Sequence, residues 1–214
     1  MALAAEGPTD YRFLQPVLYR LTEDLCLRHG RTTIEVGPVV GLDLSRGSGG
    51  DRTGRIVAAA QMAAGSYHVL FLHTDGAGDP EAALRERVEP WRRGLAALGR
   101  ADERAVAVVP VREMEAWALC DGNALREAFG TTLPDDQLGL PRRTSDLEGV
   151  LDPKRMLDTA YERAFQPRVP KRPAVAALEA IAERVDVERL RLLPAFRTLE
   201  QDLRAALREL QYVS

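Results

Sequence analysis

The chain has 214 residues, which is enough for one well-buried domain with a helical appendage and too few for two large domains. Its hydrophobic content of 45% and charged content of 29% are ordinary for a globular protein and argue against disorder. The net charge of −3 argues against a protein held to nucleic acid by a global positive field, although a local basic patch would still serve.

The two cysteines, Cys26 and Cys120, lie far apart and form no CxxC pattern, so neither a zinc site nor a disulfide framework is expected. No segment approaches the roughly 18 apolar residues that indicate a membrane-spanning helix. The first residues lack the basic and apolar regions of a signal peptide. We therefore expect a cytoplasmic protein with no membrane partner.

Predicted strands and helices alternate through the first 130 residues. The apolar runs that indicate strands are 2–5, the beginning of 34–44, 68–72 and 105–109. The segments with helical spacing are one that Thr9 or Asp10 caps and Gly30 ends, then 53–64, 80–98 and 112–129. Because such alternation is typical of parallel strands joined by right-handed crossovers, we predict an α/β fold with a mostly parallel sheet flanked by helices.

The remaining segment, 131–214, is predicted to be a loop-rich and helical C-terminal extension that packs on the α/β domain of residues 1–130. Its predicted helices are 153–164, 174–185 and 196–210. The last of these belongs to an apolar stripe at helical spacing, which either covers the sheet domain or forms a homodimer interface. The stripe consists of Leu190, Leu193, Phe196, Leu199, Leu203 and Leu207.

Acidic residues follow three of the four predicted strands. Glu6 follows the first strand, Asp75 the third, and Glu113 and Glu115 the fourth, while Asp10 lies one helical turn beyond Glu6. Ligands of open parallel sheets bind where the strands end. Crowded carboxylates need a compensating cation, and hard oxygen ligands suit Mg²⁺ or Mn²⁺. Alternatively, these carboxylates only cap helices, complement helix dipoles and begin a turn.

Several of these segments resemble the TOPRIM-like domain-of-unknown-function family 4276, which is related to OLD-family nucleases. The first matching stretch begins Glu-Gly-Pro-Thr-Asp, and the third contains Arg-Glu-Met-Glu-Ala-Trp. The four stretches are 6–14, 69–76, 109–121 and 152–154. This resemblance implies a TOPRIM-like, Rossmann-like fold and a divalent-metal-dependent hydrolase of nucleic-acid phosphodiesters, with DNA favoured over RNA.

The resemblance also implies roles for particular residues. The implied metal ligands are Glu6, Asp10, Asp75, Glu113 and Glu115, and the implied catalytic residues are Glu6, Asp75 and Lys154. Within that set, Lys154 would contact the scissile phosphate, and the metal would be Mg²⁺ or Mn²⁺. Relatives of this type also imply a bacterial phage-defence setting with an ATPase partner protein.

One position departs from the family pattern. The third strand of the family is followed by Asp-x-Asp, whereas this chain has His73-Thr74-Asp75. His73 is either a metal ligand with less affinity for Mg²⁺ than a carboxylate or a group that hydrogen-bonds a ligand. Asp79 either substitutes as a ligand or caps the helix that begins with Pro80. The alternative to a nuclease is therefore a non-catalytic TOPRIM-like binding or regulatory module that acts with a partner protein.

The segment 45–52 is rich in glycine and offers the guanidinium groups of Arg46 and Arg52 as nucleic-acid contacts. It lacks the Gly-Lys-Ser/Thr ending of a P-loop, so ATP binding by that route is not predicted. A flexible, solvated loop is the other interpretation of this segment.

Overall fold

The computed structural model describes residues 1–45, 50–168 and 171–214. Within them, four parallel strands form one sheet in the order β2-β1-β3-β4. The strands are β1 (Ala2–Ala4), β2 (Val40–Gly41), β3 (Val69–His73) and β4 (Arg104–Val108). The predicted α/β class and its parallel sheet are confirmed.

Helices flank the sheet, and the longest ones match the predicted segments. The α-helices are α1 (Pro8–His29), α2 (Arg52–Met62), α3 (Pro80–Ala83), α4 (Glu89–Ala96), α5 (Glu115–Ala118), α6 (Gly122–Phe129), α7 (Asp135–Leu138), α8 (Pro153–Phe165), α9 (Leu178–Arg184), α10 (Val187–Leu190) and α11 (Pro194–Glu209). Two 3₁₀ helices lie at Thr144–Gly149 and Ala174–Ala177. No helix in the described parts of the chain is long and apolar enough to cross a bilayer.

Both faces of the sheet are buried because successive strand residues point to opposite sides. Phe71 of β3 and Val106 of β4 belong to a core that contains α1 and the C-terminal helices. Leu70 of β3 and Ala107 of β4 belong to a second core formed with α2 and α4. The apolar run of β3 therefore serves two cores, which is why it shows no alternation.

A π-helical turn, Leu84–Val88, joins α3 to α4 within the segment predicted as one helix. The Glu89 N–H bonds to the Leu84 carbonyl, one residue further back than in an α-helix. Pro90 follows at once and has no N–H with which to restore the α-helical pattern. The extra residue changes the direction in which this turn presents its side chains.

The second strand lies later in the chain than predicted. The segment 34–39 has no regular structure, and only Val40–Gly41 pairs with β1. The N–H groups of Val40 and Leu42 bond to the carbonyls of Met1 and Leu3. Pro38 has no N–H to donate, so pairing begins only after it.

The predicted helix 112–129 is broken into α5 and α6, which corrects that expectation. The first helix ends at Ala118, and Asp121 caps the second, since its Oδ1 accepts the Asn123 N–H at 2.9 Å. Its other oxygen, Oδ2, accepts the Asp186 N–H at 3.0 Å. A carboxylate that satisfies helix-terminal N–H groups on two segments stabilises the break.

The C-terminal segment packs on the sheet domain through a shared core. The ring of Phe196 in α11 meets that of Trp117 in α5 edge to face, with centroids 5.3 Å apart. The Arg20 side chain of α1 donates to the carbonyls of Ala182 and Val185. The apolar stripe lies inside this core, with every member at most 3% exposed: Leu190, Leu193, Phe196, Leu199, Leu203 and Leu207. In this fold the stripe covers the sheet domain and is not available to a second copy.

Candidate functional site

The turn between β1 and α1 positions the first acidic pair. α1 begins two or three residues earlier than predicted, with Gly7 as the residue before it and Pro8 as its first residue. Asp10 is thus inside the helix, and its Oδ2 accepts the N–H groups of Glu6 at 3.1 Å and Gly7 at 2.7 Å. These bonds fix the backbone of Glu6 and hold the Asp10 carboxylate at the end of β1.

Tyr11 ties this turn to the neighbouring strand, a role that the sequence did not indicate. Its hydroxyl accepts the Ala5 N–H at 3.1 Å and donates to the Leu42 carbonyl at 3.4 Å. A side chain at Gly41 would begin 2.8 Å from the Tyr11 ring. Glycine at position 41 therefore lets the ring lie against β2, which keeps the β1–α1 turn in register with the sheet.

Glu6 is held from the other side by a hydrogen-bonded relay. Thr74 Oγ1 donates to Glu6 Oε1 at 2.7 Å and accepts from Arg87 Nη1 at 2.7 Å. The same Arg87 nitrogen lies 3.9 Å from Glu6 Oε1. Arg87 projects from the π-helical turn, so no helical periodicity places it at the strand ends. Neither Thr74 nor Arg87 was identified from the sequence.

The carboxyl ends of β1, β3 and β4 form one edge of the sheet, which we call the edge. His73 lies at its centre and is completely buried. Its Nδ1 is 3.0 Å from the Val108 carbonyl of the adjacent strand. Its Nε2 is 3.7 Å from both Asp10 Oδ2 and Asp75 Oδ1 and has no hydrogen-bond partner among the described residues. His73 thus points one ring nitrogen at the two carboxylates that the sequence placed at this edge.

The backbone beyond β3 is joined to the backbone beyond β4. The N–H groups of Gly76 and Gly78 bond to the carbonyls of Pro110 and Val111, at 3.0 and 2.7 Å. A Cβ at position 76 would lie 2.4 Å from the Pro110 oxygen, so only glycine allows this approach. The contact brings Asp75 beside the segment that carries the last two glutamates.

Asp75 has the most perturbed carboxyl group of the edge. Burial raises its pKa to about 7, and the carboxylates of Asp10, Glu6, Glu115 and Glu113 act in the same direction. Its Oδ1 is buried without a hydrogen-bond partner in the described structure. The negative charge of Asp75 is therefore not balanced by a neighbouring cation among its described contacts.

Glu113 and Glu115 follow the fourth strand, and Lys154 comes from the first turn of α8. Glu115 is 7% exposed, and burial raises its pKa, with Glu113 adding to the effect and Lys154 opposing it. Glu113 Oε2 accepts the backbone N–H of Lys154 at 3.3 Å. The Lys154 side chain itself is exposed at the first turn of α8. These three residues are thus brought to the same edge as Asp75.

Two further residues named from the sequence, Asp79 and Arg52, have other contacts, although the charge of Arg52 also acts to lower the pKa of His73. Asp79 caps α3, with its Oδ1 accepting the Ala82 N–H at 2.9 Å. Arg52 begins α2 with its guanidinium 5.2 Å from the centre of the Trp91 ring. Arg46 lies outside the described residues.

The edge matches a divalent cation in its donor types. Carboxylate oxygens and one imidazole nitrogen are ordinary ligands for such ions. In the described residues, no three His, Cys, Asp or Glu side chains are grouped so that they hold an ion as they stand. Asp75 retains 36% side-chain exposure, so it has room to rotate towards His73 and Asp10. The donor types are therefore those of a cation site, whereas the described side chains are not grouped around an ion position.

The fold and the edge define a class: an open parallel α/β protein whose acidic side chains meet at the carboxyl ends of β1, β3 and β4. A family model described as "Domain of unknown function (DUF4276)" matches residues 5–204. The chain belongs to that family, and the match includes every residue of the edge. No curated protein and no solved structure matches the chain.

Proposed function

We propose that this protein is a divalent-metal-dependent nuclease of TOPRIM type that hydrolyses nucleic-acid phosphodiesters at the β1–β3–β4 edge. The observation that carries the proposal is Asp75, a half-buried carboxyl group among four other carboxylates with its pKa raised to about 7. Such a group is stabilised by a bound cation, and this fold binds ligands where its strands end.

Each residue of the edge has a role in this proposal. The metal would be Mg²⁺ or Mn²⁺, held by the carboxylates of Glu6, Asp10, Asp75, Glu113 and Glu115. When bound, it would activate a water molecule and stabilise the leaving oxygen. Thr74 would orient Glu6 through their 2.7 Å hydrogen bond. Lys154, exposed at the start of α8, would bind the phosphate as a point charge.

DNA is the favoured substrate, recognised through phosphate contacts and not through a global field. The net charge of −3 means that binding must come from local cations beside the edge. Arg87 lies within the edge and keeps 42% side-chain exposure. An ATPase partner and a role in phage defence complete the proposal, on the basis of the sequence resemblance alone.

Cleavage of plasmid and linear DNA by the purified protein in 5–10 mM Mn²⁺ tests the proposal. We expect Glu6→Gln and Asp75→Asn to remove metal-dependent cleavage while both variants unfold at or above the wild-type temperature. Asp79→Asn is the matched control, because asparagine caps α3 equally well and the residue lies outside the cluster. Full activity in Glu6→Gln and Asp75→Asn would reject the proposal.

A non-catalytic binding module is the second candidate, and it has an observation of its own. His73 occupies a position where the TOPRIM resemblance implies an aspartate, and the described carboxylates are not already grouped around a metal position. Calorimetric titration separates the two candidates. Saturable Mn²⁺ binding at micromolar to low millimolar concentration supports the nuclease, whereas absence of binding favours the module.

A further inference from the structure

We propose that His73 is a direct metal ligand through Nε2, so that the edge selects a first-row transition ion such as Mn²⁺ or Co²⁺ over Mg²⁺. This inference rests on the proposed function, because it requires a metal at the same edge. It adds the identity of the ion and a nitrogen ligand to the carboxylates of that edge.

The hydrogen bond of the other ring nitrogen determines which atom of His73 is free. Nδ1 lies 3.0 Å from the Val108 carbonyl, and a carbonyl oxygen only accepts hydrogen bonds. Nδ1 therefore carries the proton and donates it. The ring is fully buried, and a buried ring without a charge partner is favoured in its neutral form. In that form Nε2 carries the lone pair that a metal needs.

The surroundings of Nε2 are oxygen atoms that cannot donate to it when ionised. Asp10 Oδ2 and Asp75 Oδ1 both lie 3.7 Å away, and Nε2 has no hydrogen-bond partner in the described part of the chain. A buried lone pair with no donor at hydrogen-bond distance is unfavourable, and a cation bound beside the two oxygens would satisfy it. This unpartnered nitrogen is evidence for a ligand that is independent of the acidic residues.

The spacing also matches donors that share one ion. Metal–nitrogen and metal–oxygen distances for these ions are about 2.1 Å, so two donors on one ion are about 3.0 Å apart at a right angle and about 4.2 Å apart when opposite. The observed 3.7 Å lies within that interval for each of the two oxygens. A hydrogen bond would require a shorter distance.

The proposed ligands make hydrogen bonds, away from the ion, of the kind that metal-binding residues usually make. A metal-bound histidine usually donates its second N–H to a carbonyl or carboxylate, which fixes the ring and its tautomer. His73 does so to Val108. Asp10 is fixed in the same way, because its Oδ2 accepts the N–H groups of Glu6 and Gly7. Asp75 is the one of the three whose side chain is free to rotate onto an ion.

The selectivity follows from ligand chemistry. Imidazole nitrogen suits first-row transition ions, and affinity rises from Mn²⁺ to Co²⁺ at a given site. Mg²⁺ prefers oxygen ligands and gives up its water reluctantly. A site with one nitrogen and two carboxylates therefore favours Co²⁺ and Mn²⁺. Replacing the nitrogen by a carboxylate shifts the preference towards Mg²⁺.

The test uses the full-length, metal-free protein loaded with Mn²⁺ alone and examined by pulsed electron paramagnetic resonance. We expect a ¹⁴N coupling to the bound Mn²⁺, and calorimetric affinities at least about tenfold higher for Co²⁺ and Mn²⁺ than for Mg²⁺. The chain has three histidines, so assignment is straightforward. His68→Gln, at the other end of β3, is the matched control and retains the coupling.

His73→Asp is the diagnostic variant, since it replaces the nitrogen donor by a carboxylate oxygen. We expect this variant to lose the ¹⁴N coupling. The ratio of its Mn²⁺ affinity to its Mg²⁺ affinity should fall about tenfold. Should this buried replacement unfold the chain, the spectrum of the wild-type protein still decides the matter. Mn²⁺ bound without ¹⁴N coupling overturns the inference and leaves the proposed nuclease standing. No bound metal in the wild-type protein overturns both.

Discussion

His73 Nε2 and Asp75 Oδ1 lie 3.7 Å apart at the end of β3, both buried and neither hydrogen-bonded within the described residues. Two polar atoms in this state destabilise the fold, because burial removes their water without supplying a partner. The two atoms lie where parallel strands end, which is where this kind of fold binds ligands. A cation bound there would supply the missing partner of both atoms. Residues tuned for a ligand are often suboptimal for the free protein.

Asp75→Asn should stabilise the metal-free protein at alkaline pH. The raised pKa of Asp75, about 7, means that the folded chain holds this proton where the unfolded chain, with a pKa of 3.8, has lost it. Stability from this group is therefore complete below about pH 4 and is lost as pH rises through 7. The gain on substitution should grow over that interval and reach about 1–2 kcal/mol at pH 8, after allowance for the partial exposure of the side chain.

Urea denaturation in EDTA between pH 5 and pH 9 measures this effect. His73 acts with the opposite sign, because its lowered pKa costs stability only below about pH 6.5, and it is present in both proteins. Asp79→Asn should show no such pH-dependent gain. Adding Mn²⁺ should reverse the order, with the wild-type protein now the more stable. A pH-independent difference between wild type and Asp75→Asn would contradict the account.

Thr74→Val should weaken the edge without disturbing the core. The two side chains have similar shape, but the substitution removes the hydroxyl that bonds to Glu6 and Arg87, both at 2.7 Å. Glu6 and Arg87 are partly exposed and regain water, so we expect a loss of only about 1 kcal/mol in the free energy of unfolding. Cleavage should fall by about tenfold or more, because Glu6 loses its orientation.

Thr22→Val is the matched control for that variant. Thr22 is also buried, but within the described residues its hydroxyl bonds only to the Leu18 carbonyl of its own helix, at 2.7 Å. It should lose little stability and keep full cleavage. Equal cleavage in Thr74→Val and Thr22→Val would show that the relay has no part in the reaction.

Gly76→Ala should separate the two backbone segments that the edge requires. The new Cβ would lie 2.4 Å from the Pro110 oxygen and 2.6 Å from the Val111 oxygen, and backbone atoms cannot move aside cheaply. We expect a loss of about 1–3 kcal/mol in thermal or urea unfolding, together with weaker Mn²⁺ binding. Gly37→Ala, where a Cβ meets nothing within 4 Å, should change neither property. Unaltered stability in Gly76→Ala would mean that the two segments are not in contact.

The sheet and the acidic edge could be predicted from sequence because both depend on local patterns. The apolar run of β3 has no polar interruption, and a strand followed by an acidic residue is visible without a structure. Glu6 and Asp75 were placed at the edge by this reasoning. The sequence also indicated the end of α6, where Gly130 adopts a left-handed φ of 67°.

The relay and the position of β2 depend on contacts between segments distant in sequence. Arg87 reaches Thr74 only because a π-helical turn rotates it towards the strand ends. β2 begins at Val40 because the N–H groups of Val40 and Leu42 bond to carbonyls of β1 and its preceding residue. The residue propensities of the segment 34–44 do not reveal this pairing. Periodicity describes one segment at a time and carries no information on such pairings.

Arg191→Met should loosen the C-terminal helices from α1. Arg191 follows α10, is 15% exposed and bonds to Asp24 of α1 and Glu200 of α11. The substitution removes the cation that these two partly buried carboxylates share, although Asp24 keeps its pair with Arg28. We expect a loss of about 2 kcal/mol, less than the about 3–5 kcal/mol of a fully buried pair. Arg85→Met is the control, because its pair with Glu86 is exposed and should contribute less than about 1 kcal/mol. Urea denaturation at low and high salt measures both, and the loss in Arg191→Met should shrink in 1 M NaCl. Equal, small losses in the two variants would mean that α10 and α11 are held by their apolar contacts alone.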